Sequence, residues 1–268
     1  MLVCTIGDLT LDVVVRIDRP IARGADTPAR THVGSGGQAA NVAAWAAELG
    51  SRARFIGKRG ADEAGTLAAN GLEQRGVELV GPIGTRGGII CSLVDASGER
   101  SMLSDRGDAP EFRPDELDPS WLEGCDHLFV SGYALMRNPV RETAIRAVAL
   151  ARAAGARVSI DLSSWSAIQE SGAEAFRTQL GALAPDVVFG NEDETRFVGG
   201  PLPDVPWILK RGSRGCSFAG EERAALAVDA VVDSTGAGDA LAAGYIVGGP
   251  ELALEAAARC VAQLGSMP

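Results

Sequence analysis

Short apolar runs alternate with alanine-rich amphipathic stretches along almost the whole chain. Runs of three to five mostly apolar residues at 3–6, 53–56, 127–131, 157–161, 187–189, 207–210 and 217–219 predict buried strands. Between them, apolar positions recur at helical spacing over 39–49, 64–75, 139–153, 173–183, 192–198, 237–247 and 251–263, which predicts amphipathic helices. Strand and helix alternating with short connections is the signature of βαβ units. The expected class is therefore α/β: a doubly wound, mostly parallel sheet with helices on both faces.

Two stretches break the alternation. Segments 11–17 and 30–33, and segments 89–94 and 101–104, read as strand pairs with no helix between them, the second pair joined by a turn at Asp95-Ala96-Ser97-Gly98-Glu99. Drawn from about 11–33 and 87–104, they are expected to form a small separate antiparallel sheet. Ligands of open α/β sheets bind at the carboxyl ends of the strands, so such a sheet over that edge would act as a lid. With no internal repeat, low-complexity tract or long linker, 1–268 is read as a single domain.

Composition narrows the partners. A formal net charge of −10 disfavours nucleic acid and anionic membrane, both of which require clustered Lys and Arg. Mean hydropathy of +0.08, without an apolar run of about 18 residues, gives no expectation of a membrane span. The N-terminus runs straight into a strand-like segment without a basic n-region, so a cytoplasmic location is expected. Five widely spaced cysteines in apolar contexts suggest reduced core residues rather than a disulfide framework or zinc site. An acidic chain can still hold a polyanion where backbone N–H groups and a cation supply a local positive field.

Asp233-Ser234-Thr235-Gly236-Ala237-Gly238-Asp239 offers such a place. Glycines there let the backbone approach a ligand and form an anion-binding nest, and the helix that follows points its first N–H groups at the turn. A carboxylate at Asp239 would repel a bound phosphate unless it takes a proton from a hydroxyl attacking that phosphate. The same residues also make an ordinary helix cap. Gly34-Ser35-Gly36-Gly37-Gln38-Ala39-Ala40-Asn41 again leads glycines into a helix, and the Asn41 amide both donates and accepts, which suits a polyhydroxylated ligand. Asp12 follows the first strand, where a carboxylate could accept two adjacent hydroxyls. Asn191 and Glu194 share one helical face and could hold Mg²⁺ directly or through water, although Asn at the N-cap with Glu three residues on is equally a capping box. Lys210-Arg211-Gly212-Ser213-Arg214-Gly215 ends another strand with two glycines that a flat base or phosphate could approach.

The order of these motifs, with Gly60-Ala61-Asp62-Glu63-Ala64-Gly65 between them, resembles the ribokinase-like (PfkB) carbohydrate kinase family over nearly the whole chain. That resemblance implies phosphoryl transfer from ATP to a hydroxyl. It casts Asp239 as catalytic base and the Gly236, Ala237 and Gly238 backbone as the anion hole. It places Asn191 and Glu194 at the Mg²⁺ motif, and Lys210, Gly212, Gly215 and Thr235 on the nucleotide side. Asp12, Gly36, Gly37 and Asn41 fall where the family holds its sugar, and Arg106 falls where members acting on acid sugars place an arginine able to clamp a carboxylate. The chain departs from the family pattern at Gly200 to Trp207, where relatives carry another helix, and after Gln263, where they carry a terminal one. The Asn and Arg of fructokinase-like members are absent from Asp161-Leu162-Ser163-Ser164-Trp165. The expected function is an ATP- and Mg²⁺-dependent kinase acting on a sugar or sugar acid, with a nucleoside kinase of the same fold as the alternative. Valines in the first lid segment, and Ile89, Ile90, Leu93 and Val94 in the second, give a sheet apolar on both faces. A homodimer through the lid is therefore expected.

Overall fold

The computed structural model describes residues 1–96 and 100–268, so most of the expected turn at 95–99 lies outside the described residues. From the N-terminus the strands are β1 (Leu2–Ile6), β2 (Thr10–Arg16), β3 (Arg30–Gly36), β4 (Arg52–Ile56), β5 (Arg59–Gly60), β6 (Val77–Val80), β7 (Ile83–Gly84), β8 (Gly88–Val94) and β9 (Arg100–Asp105). They continue with β10 (His127–Ser131), β11 (Arg157–Asp161), β12 (Val187–Asn191), β13 (Trp207–Lys210), β14 (Cys216–Phe218) and β15 (Glu221–Arg223). The helices are α1 (Gln38–Glu48), α2 (Glu63–Glu73), α3 (Val140–Ala153), α4 (Trp165–Ser171), α5 (Ala173–Ala182), α6 (Glu192–Phe197), α7 (Ala237–Gly248) and α8 (Pro250–Val261).

The large sheet runs β15-β14-β13-β12-β11-β10-β1-β4-β6. It is parallel from β13 to β6, and β14 and β15 are antiparallel at one edge. Its central strands are covered on both faces, which is why they read as continuous apolar runs. Successive side chains point to opposite faces. Val3, Phe129, Val187 and Phe189 thus enter one core with Trp45 of α1 and the alanines of α7 and α8. Cys4, Ile6, Leu128, Val130 and Val188 enter the other with Ala144 and Val148 of α3 and Leu180 of α5. Truncating one fully buried ring such as Phe129 to Ala would cost about 3–5 kcal/mol.

The small sheet has the order β3-β2-β8-β9. It is not antiparallel throughout, as expected from sequence: β2 pairs antiparallel with β3, and β8 with β9, but the central pair β2/β8 is parallel, Asp12 lying opposite Ile90. The chain returns to this sheet only after passing through α1, β4, α2 and β6, and that crossover permits the parallel pairing. Among the described residues the short strands β5, β6, β7 and β15 and the seven-residue α4 escape the periodicity, each too short to establish a period, whereas β14 falls on the strand expected at 217–219. The segment 201–206 contains neither helix nor strand. Among the described residues no helix is long and apolar enough to cross a membrane.

Candidate active site

A cavity of about 1190 Å³ opens at the carboxyl ends of the parallel strands, beneath the small sheet. Thr10, Asp12 and Ile90 line it from the small sheet, and Asp8, Asn41, Tyr133, Ser163 and Asp239 line it from the large one.

Its floor is the first turn of α7. Gly236 is the N-cap, in the left-handed region at φ 78°, where a Cβ would lie 2.6 Å from that of Ser266. The N–H groups of Gly236 and Gly238 donate no hydrogen bond within the described residues, and that of Ala237 makes only a long one, 3.4 Å to Ser234 O. Donors left open at a helix N-terminus suit an anion. Thr235 lines the cavity, its hydroxyl and its N–H both turned to Asp233 Oδ1. Asp239 stands in the same turn, half-buried, and accepts from Asn41 Nδ2 at 2.7 Å. Loss of water around it, reinforced by the charges of Asp161 and Asp8, pushes its carboxyl up to about 7 despite Asn41 and Lys210.

Lys210 does not line the cavity. Its ammonium lies beneath α7, 3.2 Å from where a Gly238 Cβ would be, and donates to Asp161 Oδ2 at 2.7 Å. Burial works against its charge, but Asp161 and Glu194 hold it firmly protonated. Glu194 is itself buried and shifted upward by that burial, with Lys210 opposing. Asn191 and Glu194 form a complete capping box: Asn191 Oδ1 accepts from Glu194 N at 2.9 Å, and Asn191 N and Nδ2 each donate to a Glu194 oxygen at 2.8 Å. Each of those carboxylate oxygens retains a lone pair. As hard oxygen donors they fit Mg²⁺, an ion that keeps several waters and takes few protein ligands.

On the opposite wall Asp12 packs against Gly36, where a Cβ would come within 2.1 Å of the carboxylate. Thr10 Oγ1 donates to it at 2.7 Å, and burial pushes it up to about 6. Gly37 opens α1 at φ 100°, its Cα close above Asp8 O. Arg106 donates to Asp8 Oδ2 and lays its guanidinium 3.6 Å from the centre of the Tyr133 ring. The other Asp8 oxygen, Oδ1, is buried and has no hydrogen-bond partner. Gln38 Oε1 accepts from Ser131 at 2.6 Å and from Ser163 at 2.5 Å.

The structure thus gathers Asp12, Gly37, Asn41, Arg106, Thr235, Gly236 and Asp239 around one cavity, with Gly36 behind Asp12. Lys210, Asn191 and Glu194 form a layer behind it. Gly212 and Gly215 lie away from the cavity lining, and a Cβ at Gly215 would sit 2.0 Å from Arg223 O, so the β14–β15 hairpin itself requires that glycine. Sequence reasoning assigned no role to Asp8, Gln38, Asp161, Tyr133 or Ser163. All but Gln38 fall at or just past the end of a parallel strand, the one signal available for them.

A carboxylate balanced near neutrality beside open helix N–H groups, at the edge of a doubly wound sheet, equips this fold for phosphoryl transfer to a hydroxyl. The chain belongs to the pfkB family carbohydrate kinases, whose pattern it matches over residues 1–267. It is 34% identical to an ATP-dependent ribose-1-phosphate kinase of Halopiger xanaduensis, over 96% of this chain and 90% of that one. It is 29% identical to a 5-dehydro-2-deoxygluconokinase of Shouchella clausii, over 80% of this chain and 73% of the other. Adenosine kinase from Sinorhizobium meliloti superposes with a TM-score of 0.85 at 25% identity, covering 99% of this chain and 95% of that structure.

Proposed function

We propose that the protein transfers the γ-phosphoryl group of ATP to a hydroxyl of a sugar carrying an acidic group, with Asp239 as general base. One observation carries this reading: the Asp239 carboxyl, held near 7, shares a helix turn with the open N–H groups of Gly236 and Gly238. A base of that pKa is ionised in a substantial fraction near neutral pH and accepts a proton readily. Asp239 draws the proton from the attacking hydroxyl while the Gly236 and Gly238 N–H groups stabilise charge on the transferred group. Mg²⁺, held from the Asn191–Glu194 side through water, would neutralise phosphate charge. Asp12 would accept substrate hydroxyls, and Arg106 would supply the cation for an acidic substituent.

Tyr133 is the one aromatic ring among the described lining residues, and Arg106 covers its face. A sugar therefore suits the cavity better than a nucleoside needing a stacking surface. ATP consumption across neutral sugars, sugar acids, ribose 1-phosphate and nucleosides tests the reading. Fastest turnover with a nucleoside would overturn the substrate class; no turnover with any of them would overturn the mechanism.

We also propose a two-fold dimer through the small sheet. Ile90 and Ser104 face the cavity, so alternation places Ile89, Leu93, Val33 and Leu103 on the opposite face, where Val33 and Leu103 are more than half exposed. A cytoplasmic location accords with five cysteines that are all free thiols.

A further inference from the structure

The partners of Asp239 extend beyond the cavity. After α8 the chain folds back under α1 and α7. Trp45 Nε1 donates to Ser266 O at 2.9 Å, Gln263 Nε2 to Met267 O at 2.7 Å, and Arg75 Nε to Pro268 O at 2.7 Å. Ser266 is thereby buried, 4% exposed, directly behind the Gly236 N-cap. Its hydroxyl donates to Asn41 Oδ1 at 2.9 Å, and Asn41, 5% exposed, donates through Nδ2 to Asp239 Oδ2 at 2.7 Å. The three side chains form one directed relay: hydroxyl to amide oxygen, amide nitrogen to carboxylate.

We propose that Ser266 is a positioning residue for phosphoryl transfer, acting through Asn41 to present Asp239 as an oriented, ionised base. The inference rests on Asp239 being the base.

An asparagine amide presents an acceptor on one side and donors on the other, and only the donor side favours an ionised carboxylate. Ser266 satisfies the acceptor side at a buried site, which holds the amide with Nδ2 toward Asp239. A hydrogen bond received at Oδ1 also polarises the amide and strengthens the one given from Nδ2. Without the hydroxyl, nothing pairs Oδ1 in this orientation, and an amide turned to bring Oδ1 onto Asp239 is satisfied there only by a protonated carboxyl. Both effects have the same sign: removing Ser266 Oγ favours the protonated, inactive base. The other groups whose charges act on Asp239 are Asp161 on β11, Lys210 on β13 and Asp8 after β1, and Cys260 on α8 feels its charge. None of them is altered by the change.

The test is the pH dependence of kcat for Ser266→Ala against the full-length protein. The acid limb should move up by about half to one pH unit, so that kcat falls roughly 3- to 10-fold below pH 7 and changes less than about twofold on the alkaline plateau, with KM for ATP unchanged. Trp45→Phe breaks a different side-chain bond to Ser266, the one to its carbonyl, and leaves Asn41 alone. It should lower the unfolding temperature without moving the limb. If Ser266→Ala does not fold, Ser266→Cys, with its weaker donor, should show a smaller shift of the same sign. An unmoved limb in the Ser266 variants, or an equal shift in Trp45→Phe, overturns the proposal. Asp239→Asn separates the two readings. If that variant keeps near wild-type turnover, the base assignment fails; if it is inactive while the Ser266 variants titrate like wild type, only the relay fails.

Discussion

Asp239→Asn should abolish catalysis while making the free protein more stable at alkaline pH, and the second half of that statement is the sharper test. The isostere can offer its Oδ1 to Asn41 Nδ2, preserving the 2.7 Å contact, but it has no basic atom for the substrate proton. Loss of a general base lowers kcat about 100- to 10,000-fold, roughly 3–5 kcal/mol in the barrier. The stability term follows from the carboxyl being raised from 3.8 to about 7 by burial. Between those values the folded protein holds a proton that the unfolded chain releases, so stability falls as pH rises through that window, and at pH 8 the ionised carboxylate burdens the fold. Asn removes the burden. Allowing for screening by water in the open cavity, the gain is on the order of 1–3 kcal/mol at pH 8 and vanishes near pH 4. Turnover at saturating ATP and thermal unfolding at pH 8 and pH 5 measure both terms. Near wild-type turnover would refute the base assignment. Lower stability than wild type at pH 8 would refute the burial argument.

Arg106→Met removes the cation but keeps much of the stem. An acidic substrate should lose about 10- to 100-fold in kcat/KM and a neutral sugar far less, so equal effects on both would exclude a charge clamp. Lys210→Met leaves the fully buried Asp161 carboxylate without its ion partner and should lower stability by about 3–5 kcal/mol in denaturant unfolding. Retained stability would mean that Asp161 is carried by other groups. Leu93→Lys on the outer lid face should dissociate the proposed dimer, and light scattering that finds the wild-type protein monomeric at micromolar concentration removes that proposal.

The main sheet was legible because its strands are buried on both faces and its helices on one, so two periods alternate along the chain. The small sheet was legible as strands but not in its pairing. Nothing local to Thr10–Arg16 says that its neighbour on one side is a strand more than seventy residues away running parallel to it. Among site residues, those in glycine-rich turns announced themselves, since only a close backbone approach explains Gly36 and Gly37 in succession. Asp8, Asp161 and Ser266 did not. Each is a common polar residue whose importance comes from a partner distant in sequence: Arg106 for Asp8, Lys210 for Asp161, Asn41 for Ser266. The capping-box alternative for Asn191 and Glu194 is realised in full, and it coexists with donor capacity toward a cation because carboxylate oxygens carry more lone pairs than the cap consumes.

How a chain of net charge −10 holds a polyphosphate is answered in part beneath Gly238. Lys210, its side chain mostly buried, is kept charged by Asp161 and Glu194 and lies 3.2 Å from where a Gly238 Cβ would be. In the proposed site the glycine would have a second task besides letting a ligand approach the backbone, since it leaves room for an ammonium on the underside of the turn whose upper side offers N–H groups. A Cβ there would meet Lys210 Nζ at 3.2 Å and Cδ at 3.3 Å, contacts a flexible side chain relieves by moving a few tenths of an ångström. Gly238→Ala should thus fold without penalty, and even gain from the better helix former in the first turn of α7. Turnover should fall by up to about 10-fold, because the displaced ammonium weakens charge stabilisation in the transition state. The pairing of unchanged or raised unfolding temperature with lost kcat is the signature to seek. A Gly238→Ala protein with full turnover would show that the cation beneath the turn does not contribute to catalysis.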